Sequence, residues 1–306
     1  MSPEQSLGAG TAGVWTWQDA RRAGLTEDQV LGRVTRGEWQ RLRRGTYIDG
    51  GVVAGPLQRA SAAVLACGGS GRAVAVGRTA ARLWGFPLVD DDDPATGRFE
   101  AHVDDVAVTR GRGRTPTLHT RELSLSQADI VHEQDVPVLR PQRTLLDLAC
   151  VLRPDALVCA LDHALHSGQT TAAELARSAT RRAWCPGAPA FRAALELTDA
   201  GAESAFETLT RPLLRPVLPG LQSQVRVYGR WGEVIAPLDL ADRELRLGVE
   251  ADGAAYHRGR AAQDRARGLR TGWTIERVTW FQVRCQPEQV LARVLRTAAA
   301  LRRAAP

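Results

Sequence analysis

The chain has 306 residues and a formal net charge of +6, and all 40 of its basic residues are arginine. The absence of lysine excludes mechanisms that need a catalytic amine, such as a Schiff base or a P-loop lysine. The basic surplus lies in the last third, where 17 arginines stand against 11 acids from Gly201 onward. A basic region of this kind is typical of proteins that bind a polyanion such as nucleic acid.

Length and cysteine usage narrow the class of protein further. At about 150 residues per domain, the length corresponds to two or three domains. The five cysteines are widely spaced and form no CxxC pair, which favours free thiols in a reducing compartment. The first residues do not resemble a signal peptide, and no apolar run approaches the roughly 18 residues of a membrane span. We therefore expect a cytoplasmic protein with no membrane partner.

Residues 14–49 predict two short helices followed by a β-hairpin. Thr16 and Thr26 are typical N-cap residues, and Gly24 and Gly37 are typical helix ends. The segment WQRLRRGTYI alternates like two strands that turn at a central Arg-Gly pair. This order predicts a winged helix-turn-helix, with a solvated arginine-rich face as the alternative. The candidate phosphate contacts on the second helix and hairpin are Arg33, Arg36, Arg41, Arg43 and Arg44.

Residues 55–195 read as mixed α and β structure without a recognisable chemical site. A helix near residues 56–67, a buried run AVAVG, strand-like segments and two further helices follow one another. His163 and His166 are three residues apart on one predicted helix, but no third ligand accompanies them. A surface or packing role is therefore the default for both histidines.

The last hundred residues predict the order helix, three strands, helix, strand, helix, which is an α/β core. Ser204 is a plausible N-cap of the first helix, and Glu207 follows it by three residues. That spacing is a capping box, so a purely structural role for Glu207 is an alternative to a functional one.

Three carboxylates, Asp239, Glu250 and Asp252, fall at predicted strand ends close to His257. Crowded acids need a cation or pairing to offset their mutual repulsion. Mg²⁺ prefers hard oxygen ligands, typically one or two carboxylates with water and substrate phosphate. Bound there, it can polarise a phosphodiester and activate water for hydrolysis. Surrounding arginines, among them Arg258 and Arg267, would hold the nucleic-acid strand.

The geometry of the hairpin decides whether such a site can form. An even number of loop residues puts Asp239 and Glu250 on one sheet face. A two-residue turn at Asp242-Arg243 would leave them four residues out of register, about 13 Å apart at 3.3 Å per residue. A metal site therefore requires a wider turn or a bulge near Glu244.

The motifs of the last 105 or so residues resemble the PD-(D/E)XK nuclease superfamily, in its branch similar to very-short-patch-repair endonucleases. The matching segments are ESAFE from Glu203, LD at Asp239, VEADG around Glu250, His257, and GW with the following strand. The resemblance implies a restriction-endonuclease-like α/β fold in which Asp239 and Glu250 bind Mg²⁺ and Glu207 supports them.

The same resemblance implies that His257 is the general base and that Asp252 occupies the position where the superfamily often has lysine. Two features depart from the pattern. Leu238 replaces the proline of the motif name, and Pro212 and Pro216 interrupt the first helix, which we expect to be kinked or shortened.

The N-terminal half is similar to AbiEi-type antitoxin and transcriptional-regulator proteins. The matching segments are LTEDQVLGRVTRGEWQRLRRGTYI, TAARLWGF and RTLLDLA, within residues 14–170. This resemblance implies that the winged helix binds DNA.

The predicted organisation is mixed α/β, with three domains. These are a winged helix-turn-helix at residues 1–54, a mixed α/β middle domain at 55–198 and a nuclease-like α/β domain at 199–306. The first hypothesis is a Mg²⁺-dependent DNA endonuclease. The second is a DNA-binding regulator or antitoxin with a degenerate nuclease-like domain, and the third is a protein-interaction module. DNA is the expected partner, a homodimer remains open, and no small-molecule cofactor is expected.

Overall fold

The computed structural model describes residues 11–89, 92–93, 98–99, 103–199, 201–228, 234–252 and 272–304. The α-helices are α1 (Trp17–Arg22), α2 (Glu27–Thr35), α3 (Pro56–Ala66), α4 (Gly77–Leu83), α5 (Pro141–Leu148), α6 (Pro154–His166), α7 (Ala172–Arg181), α8 (Ala188–Leu195), α9 (Ala205–Leu214), α10 (Trp280–Cys285) and α11 (Pro287–Ala304). The strands are β1 (Trp15–Thr16), β2 (Trp39–Arg43), β3 (Thr46–Asp49), β4 (Ala73–Ala75), β5 (Asp92–Asp93), β6 (Arg98–Phe99), β7 (Asp104–Val108), β8 (Gly113–Thr115), β9 (Leu118–Arg121), β10 (Ile130–Glu133), β11 (Val136–Leu139), β12 (Leu221–Tyr228), β13 (Val234–Asp242), β14 (Leu247–Asp252) and β15 (Thr274–Thr279).

This content confirms the expected mixed α/β class. The chain divides into two compact units, unit 1 with residues 1–88, 101–152 and 173–191, and unit 2 with residues 89–100, 153–172 and 192–306. The three-domain division and the winged-helix and nuclease-like assignments stay predictions.

The first helices of unit 1 begin where their N-caps predict. The Thr16 hydroxyl accepts the Asp19 N–H at 3.2 Å, and the Asp19 carboxylate accepts the Thr16 N–H at 2.8 Å, so the two residues form a capping box. Thr26 and Gln29 do the same for α2. The predicted hairpin is β2 and β3, which pair antiparallel, and β1 joins the other edge of β3. These local predictions are confirmed.

A six-stranded sheet forms the centre of unit 1, in the order β10-β11-β4-β7-β9-β8. The β11–β4 and β7–β9 pairs are parallel and the other pairs are antiparallel. Its core includes Ala75, Val106 and Val138, which are fully buried, and α3 and α4 pack against it. Strand β8 lies at one edge of this sheet, and all three of its residues are exposed.

Unit 2 contains a four-stranded sheet in the order β12-β13-β14-β15. The first three strands are antiparallel, and β15 runs parallel to β14. Helix α9 packs against β12, β13 and α11. The two-stranded β5–β6 pair also belongs to this unit. Within the described ranges, no helix is long and apolar enough to cross a membrane.

A buried polar cluster joins α6 to α9 in unit 2. The Asp162 carboxylate accepts the Asp199 N–H at 2.7 Å and the Thr208 hydroxyl at 2.8 Å, and it lies 3.3 Å from the Arg211 guanidinium. Burial raises the pKa of Asp162, against the lowering effect of these donors. Because Asp162 and Arg211 are 1% and 4% exposed, neither charge can turn to water.

We expect Asp162→Ala to lower the free energy of unfolding by about 3 kcal/mol, because it removes one of the two carboxylates that pair with the buried Arg211, the other being Asp199 at 2.9 Å. It also leaves the Thr208 hydroxyl and the Asp199 N–H without their acceptor. Urea denaturation followed by circular dichroism measures this loss. The matched control is Asp155→Ala on the same helix, where the 42% exposed carboxylate pairs with Arg153 at 3.3 Å and with Arg284 at 3.6 Å. Ion pairs of such an exposed carboxylate contribute about 1 kcal/mol or less each. Equal losses in the two variants would contradict this account.

Candidate metal and nucleic-acid sites

The turn between β13 and β14 determines how their carboxylates meet. Leu240 pairs with Val249, and Asp242 pairs with Leu247, so the loop is the four residues 243–246. Continued by one residue, this register brings Asp239 opposite Glu250. Directly opposed residues typically have Cβ atoms about 4.5 to 5.5 Å apart. The turn is therefore the wider kind that the metal-site hypothesis requires, and the 13 Å separation of a two-residue turn does not occur.

Asp242, the residue immediately before this four-residue loop, stabilises the turn. Its Oδ1 accepts the backbone N–H groups of Glu244 and Leu245, both at 3.1 Å. The residue is only 4% exposed, and a Cβ at Gly220 would lie 2.9 Å from its Oδ2. Arg246 closes the turn with a φ of 50°, in the left-handed region. The carboxylate of Asp242 is thus bound within the turn and is not part of the Asp239–Glu250 pair.

Polar residues extend this pair across the whole sheet. On one side, Ser223 pairs with Leu240 and Val225 with Leu238, which brings Gln224 opposite Asp239. On the other side, Glu250 pairs with Arg277, and the Arg277 Nη2 lies 3.3 Å from the Glu250 Oε2. We call Gln224, Asp239, Glu250 and Arg277 the polar row. Asp239 and Glu250 are both half-buried, so their charges are less screened than on an open surface.

Glu207 joins the polar row through Gln224. Its Oε2 accepts the Gln224 Nε2–H at 2.9 Å and the Glu203 N–H at 3.2 Å. Its Oε1 accepts the Ser204 hydroxyl at 2.7 Å, and its own N–H donates to Ser204 at 3.2 Å. Ser204 is therefore the N-cap of α9, as expected. With 4% exposure, Glu207 is bound to the helix start and to β12 at once.

The two departures from the nuclease pattern have structural counterparts. Leu238 is 1% exposed and packs in the core with Val225 and Ala241. A Cβ at Gly248 would lie 2.7 Å from the Leu238 side chain, so the glycine permits this close approach. Helix α9 continues through Pro212 and ends at Leu214, two residues later, which agrees with the expected shortening.

Several predicted site residues lie outside what the structure describes. His257, Arg258 and Arg267 fall between residues 252 and 272 and are outside the described residues. Asp252 is the last residue of β14, in register with Thr279, but its side chain is not described. Their roles stay predictions.

The donor chemistry of the polar row fits Mg²⁺ in part. Two opposed carboxylates match the one or two that Mg²⁺ typically takes from a protein. Among the described residues, no group of three or more His, Cys, Asp and Glu side chains is arranged as a metal centre. Arg277 contacts Glu250 and is a competitor for any cation, because both would bind the same carboxylate.

Gln224 and Arg277 were not predicted as site residues. Both lie in alternating strand sequences, QSQVRVYG and WTIERVTW, where one residue in two faces the same side. That pattern identifies a face of the strand. It does not identify the neighbours of that face, which depend on register.

The five candidate arginines of the N-terminal helices and hairpin differ in their surroundings. Arg33 lies 5.4 Å from the centre of the Trp39 ring and 3.6 Å from Glu38. Arg36 pairs with Glu38 at 2.5 Å and keeps the pKa of that carboxyl below its usual value. Arg43 binds the buried Asp104 and the Thr117 carbonyl.

The remaining two, Arg41 and Arg44, are exposed. Within the described part of the chain they form no ion pair with an acid. They are therefore the arginines of this hairpin that are best placed for a phosphate contact.

No family model matches the chain. The chain is similar to two uncharacterized proteins of Mycobacterium tuberculosis, MT2308 of strain CDC 1551 / Oshkosh and Rv2248 of strain ATCC 25618 / H37Rv. Each is 30% identical over 162 residues, which is 51% of this chain and 59% of the relative. The chain thus spans about three fifths of the length of the curated relatives it matches. Their names assign no activity.

We expect Arg277→Gln to strengthen binding of Mg²⁺ or Mn²⁺ about tenfold, because a guanidinium no longer competes with the cation for Glu250. The control variant Arg177→Gln should leave cation binding unchanged. Isothermal titration calorimetry measures the affinity. Arg177→Gln removes the same charge from the exposed face of α7 and is the control. Equal affinities for both variants and for the unmodified protein would show that Arg277 does not compete.

We expect Arg43→Gln to lower the free energy of unfolding by about 3 kcal/mol, because it leaves the buried Asp104 without its partner. The double variant Arg41→Gln/Arg44→Gln should leave stability unchanged within about 0.5 kcal/mol, since both side chains are exposed. Thermal unfolding compares the two. A comparable loss in the double variant would mean that Arg41 and Arg44 also hold the fold together.

Proposed function

We propose that this protein is a DNA-binding, Mg²⁺-dependent endonuclease whose cleavage site is the polar row of unit 2. The observation that carries the proposal is the register of β13 and β14, which brings Asp239 opposite Glu250 on one face of a sheet. The proposal extends to a winged helix at the N-terminus that binds the DNA. The separation of α1 and α2 by a short turn, followed by the β2–β3 hairpin, supports this assignment.

The proposed mechanism assigns roles to three residues of the polar row and to the candidate residues outside it. Asp239 and Glu250 would hold the cation, which supplies Lewis-acid polarisation of the phosphodiester and activation of water. Gln224 is a positioning residue, because it links the β12 edge of the row to the fixed carboxylate of Glu207. His257 remains the candidate proton acceptor, and Arg258 and Arg267 remain candidates for binding the cleaved strand.

A second candidate function is a DNA-binding regulator or antitoxin with an inactive nuclease-like domain. The ion pair between Glu250 and Arg277 favours it, because this pair neutralises one carboxylate without a metal. The interactions of Glu207 favour it as well, since both of its oxygens are occupied by hydrogen bonds to the protein. In this candidate, unit 1 binds an operator and the polar row is structural.

Cleavage of supercoiled plasmid in Mg²⁺ distinguishes the two functions. We expect nicking by the unmodified protein and a loss of at least 100-fold in the single-turnover rate for Asp239→Asn and Glu250→Gln, because electrostatic stabilisation of the reacting phosphate is removed. The matched control is Glu244→Gln in the same hairpin, where the side chain is exposed; it should cleave at the normal rate.

Two outcomes would overturn the nuclease proposal. One is equal nicking by Asp239→Asn, which would trace the activity to another site or a contaminant. The other is tight, sequence-specific binding to DNA without cleavage in Mg²⁺ or Mn²⁺, which would establish the regulator instead.

A further inference from the structure

The segment Thr109-Arg110-Gly111-Arg112-Gly113-Arg114 in unit 1 alternates arginine with glycine. We call it the arginine–glycine loop. It follows β7 and includes Gly113 and Arg114, the first two residues of the edge strand β8, and all six of its residues are exposed. Gly111 adopts a φ of 93°, which side chains other than that of glycine rarely adopt. The loop therefore presents three guanidinium groups on a narrow backbone without bulky neighbours between them.

The loop borders a groove of about 650 Å³. The groove is lined by Cys67, Arg72, Val108, Thr109, Arg110, Gly111, Arg112 and Thr120. Three of these residues are arginines and none is acidic. One carboxylate lies beside the loop, that of Glu122, which accepts the Gly111 N–H at 2.6 Å. Three arginines against this one adjacent carboxylate leave the groove with a net positive charge.

These arginines are not engaged in holding the fold together. Among the described residues, no acid forms an ion pair with Arg72, Arg110, Arg112 or Arg114. By contrast, two other arginines of unit 1 each bind a buried acid, Arg43 with Asp104 and Arg121 with Asp147. An exposed cation that serves no internal partner is available to a ligand anion at little cost in desolvation.

The turn that follows β8 contacts the β2–β3 hairpin. Arg43 of β2 donates to the carbonyl of Thr117 at 2.7 Å and to its hydroxyl at 3.3 Å, in the turn that joins β8 to β9. Burial raises the pKa of the Cys67 thiol in the groove, and the positive charge of Arg43 partly offsets this rise. The hairpin thus contacts the β8–β9 turn next to the arginine–glycine loop, and Arg41 and Arg44 of the same hairpin are exposed.

We infer that the arginine–glycine loop and its groove bind the phosphate backbone of duplex DNA, as an extension of the surface formed by the β2–β3 hairpin. A row of separated cations matches a polyanion better than a single small anion, because each guanidinium can contact its own phosphate. Narrow, arginine-bearing segments are also the kind that enter a minor groove. This inference rests on the DNA-binding part of the proposed function and is independent of the nuclease activity.

The test is fluorescence-anisotropy titration of a 30-base-pair duplex in EDTA, over a series of salt concentrations. We expect Arg110→Gln/Arg112→Gln to weaken binding roughly tenfold at physiological salt and to lower the slope of log K against log salt by about 1.8, for two lost phosphate contacts. The control is Arg177→Gln/Arg181→Gln, which removes two exposed charges from α7 in the same unit. It should change affinity less than twofold.

The possible results distinguish this inference from a small-anion site and from the nuclease proposal. Equal affinities and slopes for the two double variants would overturn it. Loss of binding to inorganic phosphate or ATP in the loop variant, with duplex affinity unchanged, would overturn it in favour of a small-anion site. EDTA removes the Mg²⁺ that the proposed cleavage requires, so the measured DNA affinity does not depend on whether the protein cleaves DNA. Normal nicking by the loop variant at saturating protein would likewise leave the nuclease proposal intact.

Discussion

The register of the β13–β14 hairpin is the constraint on which the candidate site depends. Side chains alternate between the faces of a strand, so a slip of one residue would move Glu250 to the face opposite Asp239. A slip of two would keep the face and separate the carboxylates by about 6.6 Å along the strand. Asp242 prevents both, because its carboxylate binds the N–H groups of Glu244 and Leu245 and is itself buried against Gly220. One buried acid in a turn thus determines the geometry of two others.

The opposed carboxylates must also be compensated electrostatically. Two like charges on directly opposed residues repel each other. Arg277 supplies one compensation from the neighbouring strand, and a divalent cation would supply another. The two proposed functions therefore differ in a single physical respect, which is the identity of the positive charge that Glu250 contacts. The rest of the row serves either case, since Gln224 and Glu207 form neutral and charge-assisted hydrogen bonds that do not involve Glu250.

Local features of this fold follow from the sequence, whereas its long-range partners do not. The starts of α1, α2 and α9 are predictable because Thr16, Thr26 and Ser204 cap residues only three positions away. The sequence does not determine the β13–β14 register, because the segment ADREL is compatible with either turn length. Arg43 shows the other limit. It reads as a surface arginine in a hairpin, yet its partner Asp104 is 61 residues distant. Only the tertiary structure distinguishes Arg43, which pairs with a buried acid, from the exposed Arg41 and Arg44.

The distribution of charge in the first 200 residues shows why the net charge of a segment does not predict where it binds anions. The first 200 residues hold 23 arginines and 23 acids and are neutral overall. Yet Asp104, Asp129 and Asp147 are buried beside arginines, where they compensate charges that are already internal. Exposed acids elsewhere act on the arginine–glycine loop only within a screening length of about 8 Å at physiological salt. A neutral segment can therefore carry a groove with a local positive surplus, because a polyanion responds to the charges within its reach and not to the sum over the chain.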